Sequence, residues 1–155
     1  MRVLMLCLFA MLASPALGQE WTSYANVRFG YEGAVPPGFT SYGESDNGDG
    51  ATYASTAQAL YYWGSNLLED SFEAEVAASI GYAERDGAQI TRKSIDAEGA
   101  VFTGVAREQM FYRRMIPLCD GKSIAAFTLN YWPRDATAMA PIIQRLMKSF
   151  RAVGC

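Results

Sequence analysis

The chain contains no histidine. That absence removes Ser-His-Asp triads, Cys-His nucleophile pairs and His-based zinc sites, all of which need an imidazole to move a proton or hold a metal. No G-x-S-x-G elbow and no phosphate-cradling Walker loop occurs either. Paired carboxylates are one route left to catalysis. Asp46 and Asp49 are close together, but they fall within Ser45-Asp46-Asn47-Gly48-Asp49-Gly50. The Asn-Gly and Asp-Gly steps of that cluster adopt positive φ readily and read as a turn. As a calcium loop the same stretch would place Gly48 and Gly50 where oxygen ligands are needed. The residues point to a non-catalytic protein with no cofactor and no metal.

Arginine is the residue type left for recognition. Arg92, Arg107, Arg113 and Arg114 lie on or beside three consecutive predicted strands, with Tyr112 among them. On paired strands such residues become cross-strand neighbours. Arg113 and Arg114 must point to opposite faces, so one of them approaches a covered side. The candidate binding patch is Arg92, Arg107, Tyr112, Arg113 and Arg114, facing an unidentified protein or small ligand with acidic groups, since arginine and tyrosine are common at interaction hot spots. The plainer alternative is a set of surface ion pairs with Glu98 and Glu108. Two further readings predict different geometry. A lipid or small-molecule carrier would hold a cavity between helix and sheet near Tyr62, Phe111 and Tyr131. A carboxylate-dependent hydrolase would bring two acids together in a cleft, one with a raised pKa.

The first eighteen residues fix the expected compartment. Met1–Gly18 has Arg2, an apolar run from Val3 to Ala13, then Ser14-Pro15 and the small residues Ala16 and Gly18. This is the three-part pattern of a cleavable secretory signal. The run is shorter than the ~20 apolar residues a bilayer span needs. Cys7 lies inside it and not at the cleavage point, so no stable membrane anchor is expected. A single globular domain, Gln19–Cys155, would follow, periplasmic or secreted. Removing Arg2 makes it slightly more acidic than the net −3 of the whole chain, the opposite of a nucleic-acid-binding footprint. Two cysteines survive, Cys119 and Cys155. An even count in an exported chain favours their pairing; two free thiols are the alternative.

The elements that must position these residues follow from pattern. Short strands are expected at Val27–Tyr31, Ala51–Ser55 and Ala59–Trp63, the last two as a hairpin. The stretch Gly33–Phe39 holds consecutive prolines and reads as irregular. A helix over Ser71–Arg85 carries Phe72, Val76, Ile80 and Ala83 at helical spacing, with Asp70 as N-cap and Gly87 as stop. Four strands come next, Gln89–Ile95, Ala100–Ala106, Gln109–Leu118 and Ser123–Trp132, joined by short turns and so antiparallel. The last is apolar on both faces, which calls for cover on both sides. A second helix over Ala138–Arg151 presents Met139, Ile142, Ile143, Leu146 and Phe150 as one stripe; Pro141 restricts its start to about Ala138. The fold class is α+β, an antiparallel β-sheet flanked by helices.

Several short motifs resemble the PsbP/Mog-like superfamily, specifically its bacterial exported members. Tyr24–Tyr31 with Val35-Pro36-Pro37-Gly38-Phe39 resembles its opening strand pair, and Asn47–Gly50 with Thr52-Tyr53 resembles its n-g-D-G turn. Phe102-Thr103-Gly104, Phe111–Arg114 and Leu129–Pro133 with Ser149-Phe150 resemble its later strands and ending. The resemblance covers nearly all of Gln19–Cys155. It implies an α/β/α sandwich around an antiparallel sheet and an accessory, non-enzymatic role. Function read from fold alone is analogy.

Overall fold

A computed structural model describes residues 20–155; the expected signal segment Met1–Gly18 lies outside the described residues. Ten strands and two helices form two sheets and their cover. The strands are β1 (Thr22–Asn26), β2 (Tyr31–Val35), β3 (Thr40–Glu44), β4 (Gly50–Ala54), β5 (Ala59–Asn66), β6 (Gln89–Asp96), β7 (Gly99–Ala106), β8 (Gln109–Pro117), β9 (Ser123–Tyr131) and β10 (Arg151–Ala152). The helices are α1 (Phe72–Arg85) and α2 (Ala136–Ser149). The main sheet has seven strands in the order β3-β4-β5-β9-β8-β7-β6; a small one has β1-β2-β10. All pairings are antiparallel. The architecture is the expected α+β sandwich, with the small sheet added to one outer layer.

Every residue of β9 except Asn130 is buried. Its side chains alternate between two cores. On one face Leu60, Tyr62, Phe127 and Leu129 meet Tyr31 of the small sheet and Leu146 and Phe150 at the end of α2. On the other, Phe102, Met115, Ile124 and Ala126 meet Val76 of α1. Tyr62 is the centre of the first core. Its ring lies 5.8 Å from that of Phe150 and 5.7 Å from that of Tyr24, and its hydroxyl donates to the Ala34 carbonyl at 2.6 Å. Gly33 makes room for it: a Cβ there would sit 2.7 Å from the ring. Burial pushes the Tyr62 hydroxyl well above its usual pKa, so the group stays a neutral donor.

The elements depart from the expected ones at several ends, among them α2, which stops at Ser149 so that Arg151–Ala152 can form β10, and β5, which runs on to Asn66; four departures have a clear physical cause or consequence. Residues 27–30 form a turn, not a strand, because the buried Asn26 side chain ties it. Its Oδ1 accepts from Phe29 N, and its Nδ2 donates to Tyr24 Oη and to the Gly48 carbonyl. Gly33–Val35 belong to β2, so only Pro36–Phe39 are irregular. Ser71, not Asp70, caps α1: its Oγ accepts from Ala74 N at 3.1 Å. Finally, α2 starts at Ala136, which puts Pro141 inside it. Pro141 and Thr137 are exposed, so water reaches the Thr137 carbonyl that Pro141 leaves without a partner.

Cys119 and Cys155 are disulfide-bonded with Cα atoms 5.1 Å apart. The bond fastens the tail that carries β10, which pairs with β2 and bonds Arg151 to Glu32. No helix among the described residues is long and apolar enough to cross a membrane.

Two outcomes follow. Cys155→Ser should lower the melting temperature under oxidising conditions, in proportion to the ~3–4 kcal/mol that closing such a loop contributes in the chain-entropy model; an unchanged thermal unfolding curve would refute the staple. Tyr62→Phe should cost about 1–2 kcal/mol in denaturant unfolding, because it leaves the Ala34 carbonyl without its buried donor.

Candidate functional site

Seven strands are too wide for either cover. On the first face the small sheet and α2 lie over β4, β5, β9 and part of β8. On the second face α1 lies over β6, β7, β8 and the near side of β9. The covers are offset, and each leaves a ledge of open sheet.

The strand register divides the candidate patch between these ledges. Across the first face run Arg92, Thr103, Tyr112 and Leu129, each the cross-strand partner of the next. Arg114 lies two residues along β8 from Tyr112, on the same face. Arg92 reaches this face because β6 is irregular between Ile90 and Arg92, which shifts its alternation. Burial raises the Tyr112 pKa, and the Arg114 and Arg92 charges oppose that rise. Arg92, Tyr112 and Arg114 therefore form one group.

Arg113 and Arg107 belong to the other face. Here the row reads Lys93, Phe102, Arg113, Thr128 and Tyr61. Arg113 is half-buried where the edge of α1 meets the sheet. Its Nε donates to Thr128 Oγ1 at 2.8 Å and its Nη1 to Ser79 Oγ of α1 at 3.0 Å. The guanidinium lies 5.3 Å from the Phe102 ring centroid. No carboxylate pairs with it; the one ion pair among the described residues joins Arg151 and Glu32. Burial alone pulls its pKa down, with no charged neighbour contributing. A guanidinium offers five N–H donors, so after these two bonds several face outward.

They face a cleft of about 620 Å³. Its floor is the sheet: Tyr61 and Trp63 from β5, Thr128 and Asn130 from β9, and Gln109, Phe111 and Arg113 from β8. The end of α1 supplies Ala83 and, just beyond it, Asp86 and Ala88. Gly104 lets Phe111 lie flat, since a Cβ at 104 would be 2.7 Å from its ring. Arg107 stands at the mouth on the two-residue β7–β8 turn. Both central residues of that turn have positive φ, 49° at Arg107 and 69° at Glu108. Asn-Gly is the usual occupant of such a turn, and a side chain there is strained by about 1 kcal/mol or more per residue.

The other sequence expectations divide. The ion pairs with Glu98 and Glu108 do not form; Arg114 instead donates to the Glu98 backbone carbonyl at 3.0 Å. Tyr62 and Tyr131 lie in the filled core of the first face, so the carrier cavity expected around them with Phe111 is absent; only Phe111 reaches the cleft. Asp86 is the one carboxylate lining the cleft. Asp49 accepts from Ser45 and Asn47 side chains, which hold its pKa below the usual carboxylate value. Tyr61, Trp63 and Phe111, aromatics whose types suit a ligand pocket, do line the cleft; sequence reasoning misses Asn130 and Gln109, though Gln109 shares the alternation of Arg113. The missing signal is the pairing of β5 with β9, strands separated by helix α1 and three strands.

No family model and no curated protein sequence matches this chain. Solved structures do. The solution structure of cyanobacterial PsbP (CyanoP) from Synechocystis matches 92% of this chain and 98% of its own, at 14% identity and a TM-score of 0.61. The crystal structure of the Saccharomyces cerevisiae Ran-binding protein Mog1p matches 87% and 96%, at 11% identity and a TM-score of 0.62. The chain has the PsbP/Mog-like fold.

Replacing the strained turn tests whether Arg107 and Glu108 are there for stability. Changing Arg107→Asn and Glu108→Gly together should raise stability by ~1–2 kcal/mol in denaturant unfolding. A fall would show that the turn itself holds the hairpin.

Proposed function

We propose that this protein is a non-catalytic binding module that holds an anionic group of its partner or ligand in the cleft between α1 and the main sheet. Arg113 is the anchor and Arg107 guards the mouth. One observation carries the reading: Arg113 is oriented by Thr128 and Ser79, partly withdrawn from water, and has no carboxylate in ion-pair contact. A desolvated charge without a partner costs stability, and a fold gains nothing by keeping one unless something else supplies the counter-charge. The strained turn beside it supports the same reading, since local strain collects at functional sites.

The protein acts outside the cytoplasm. The signal-like pattern of Met1–Gly18 and the Cys119–Cys155 bond support this, because disulfides persist in oxidising compartments. One of the similar structures is a Ran-binding protein, so the fold has been used for protein docking; at 11% identity its partner does not carry over. The ledge on the opposite face, where Arg92, Arg114 and Tyr112 converge without a carboxylate, is a second surface suited to an acidic protein.

Nuclear magnetic resonance with acetate, inorganic phosphate and a short acidic peptide tests the cleft. The Arg113 side-chain N–H and Trp63 indole N–H signals should move in the wild type, and the Trp63 signal should stay fixed in Arg113→Met. The same variant should melt no lower than the wild type. Anion-induced shifts that survive in Arg113→Met, or their absence up to tens of millimolar of every probe, would refute the reading.

A further inference from the structure

The cleft has more than a positive charge, and its other walls narrow the chemistry of what it takes. Resting on the anion-binding reading above, we infer that its ligand is a small aromatic monocarboxylate: one carboxylate on a flat ring, of the size of an aryl or indolyl acid.

Charge comes first. Arg113 and Arg107 share the lining with Asp86, leaving one net positive charge among the lining residues. One carboxylate balances it; a phosphate dianion does not. The planar guanidinium fork also matches the two oxygens of a carboxylate, and Arg113 is held in place by its bonds to Thr128 and Ser79 before any ligand arrives. Pre-orientation of this kind lowers the entropy lost on binding.

Shape comes second. Tyr61 lies in the same cross-strand row as Arg113 with Thr128 between them, and Trp63 is its neighbour on the same face of β5. Strands are ~4.8 Å apart, so Tyr61 and Arg113 stand roughly 10 Å apart along the floor. That span takes a carboxylate at the arginine end and one or two fused rings toward Tyr61 and Trp63. Tyr61 is 38% exposed where it lines the cleft. A flat ring stacked on these walls would bury them. The cleft volume, about 620 Å³, lies within the range of small-molecule sites.

Polarity excludes the lipid alternative. Thr128, Asn130 and Gln109 interrupt the floor. An acyl chain lying across Asn130 and Gln109 would strip their water and return no hydrogen bond, while Thr128 already accepts from Arg113. A ring with a hydroxyl or N–H substituent would satisfy them instead.

The test is calorimetric titration of the disulfide-bonded protein with benzoate, 4-hydroxybenzoate and indole-3-acetate, set against acetate, benzamide and inorganic phosphate. The ring acids should bind at least tenfold more tightly than acetate and than benzamide. Arg113→Gln and Trp63→Leu should each weaken them tenfold or more, with Tyr61→Ala as a second wall variant if Trp63→Leu unfolds, and Lys148→Gln, at an exposed position of α2 away from the cleft, should change nothing. Acetate binding as well as the ring acids would overturn the aromatic part while leaving the anion site standing. Phosphate binding more tightly than every acid would overturn the carboxylate part in the same way. Benzamide binding as well as benzoate would overturn both this inference and the anion-binding reading, and so would an Arg113→Gln variant that binds like the wild type.

Discussion

The organising constraint is β9, a strand that must be dry on both sides. Ile124, Ala126 and Thr128 point one way and Ala125, Phe127 and Leu129 the other, and all six are buried. A strand of that kind cannot sit at an edge or under a single layer. It forces a sandwich with one cover on each face. The chain supplies α1 for one face and, for the other, α2 with a three-stranded sheet. Both covers centre near β9 and lean opposite ways, and the outer strands are left partly bare. The ledges, and the cleft where one of them meets α1, are by-products of covering a wide sheet with narrow layers.

The two faces are filled differently. The first is an aromatic core in which Tyr24, Tyr31, Tyr62, Phe127 and Phe150 meet mostly edge to face or tilted, at centroid distances from 5.2 to 6.1 Å. Their hydroxyls find acceptors in the Ala34 and Asp49 carbonyls and the Glu44 carboxylate. That core ties the small sheet and the 45–50 turn to the main sheet. The opening strand-pair motif and the n-g-D-G turn that resemble the superfamily fall here. Asn26 bonds to Gly48, Arg28 to the Asn47 carbonyl and Tyr31 to that of Asp49. These opening motifs are joints of the scaffold, whereas the later Phe111–Arg114 motif supplies Phe111 and Arg113 of the cleft. The second face is thinner and leaves a guanidinium where an apolar residue could have filled the gap.

That placement is what supports the proposed binding role. A core built for stability alone would place a methionine or leucine at 113 and Asn-Gly at 107–108. Arg113 without a carboxylate and Arg107-Glu108 at positive φ both forgo stability, and they stand on the same cleft. Local preference and global fold disagree at this cleft, and such disagreement is expected at binding sites.

The sequence alone determined what depends on nearest neighbours. Alternation and turn chemistry are enough for the β4–β5 hairpin and for β6 to β9 in consecutive antiparallel order; helical spacing is enough for α1 and the α2 stripe. The same alternation sends Arg113 and Arg114 to opposite faces. Terminal details failed where a side chain from elsewhere intervened, as when Asn26 closes a turn through Gly48. Only tertiary structure decided which arginines meet. The irregularity in β6 turns Arg92 toward Tyr112, and the long-range pairing of β5 with β9 carries Tyr61 and Trp63 to the site of Arg113. Both are register choices made by packing over long sequence separations, and the residue types at those positions do not encode them locally.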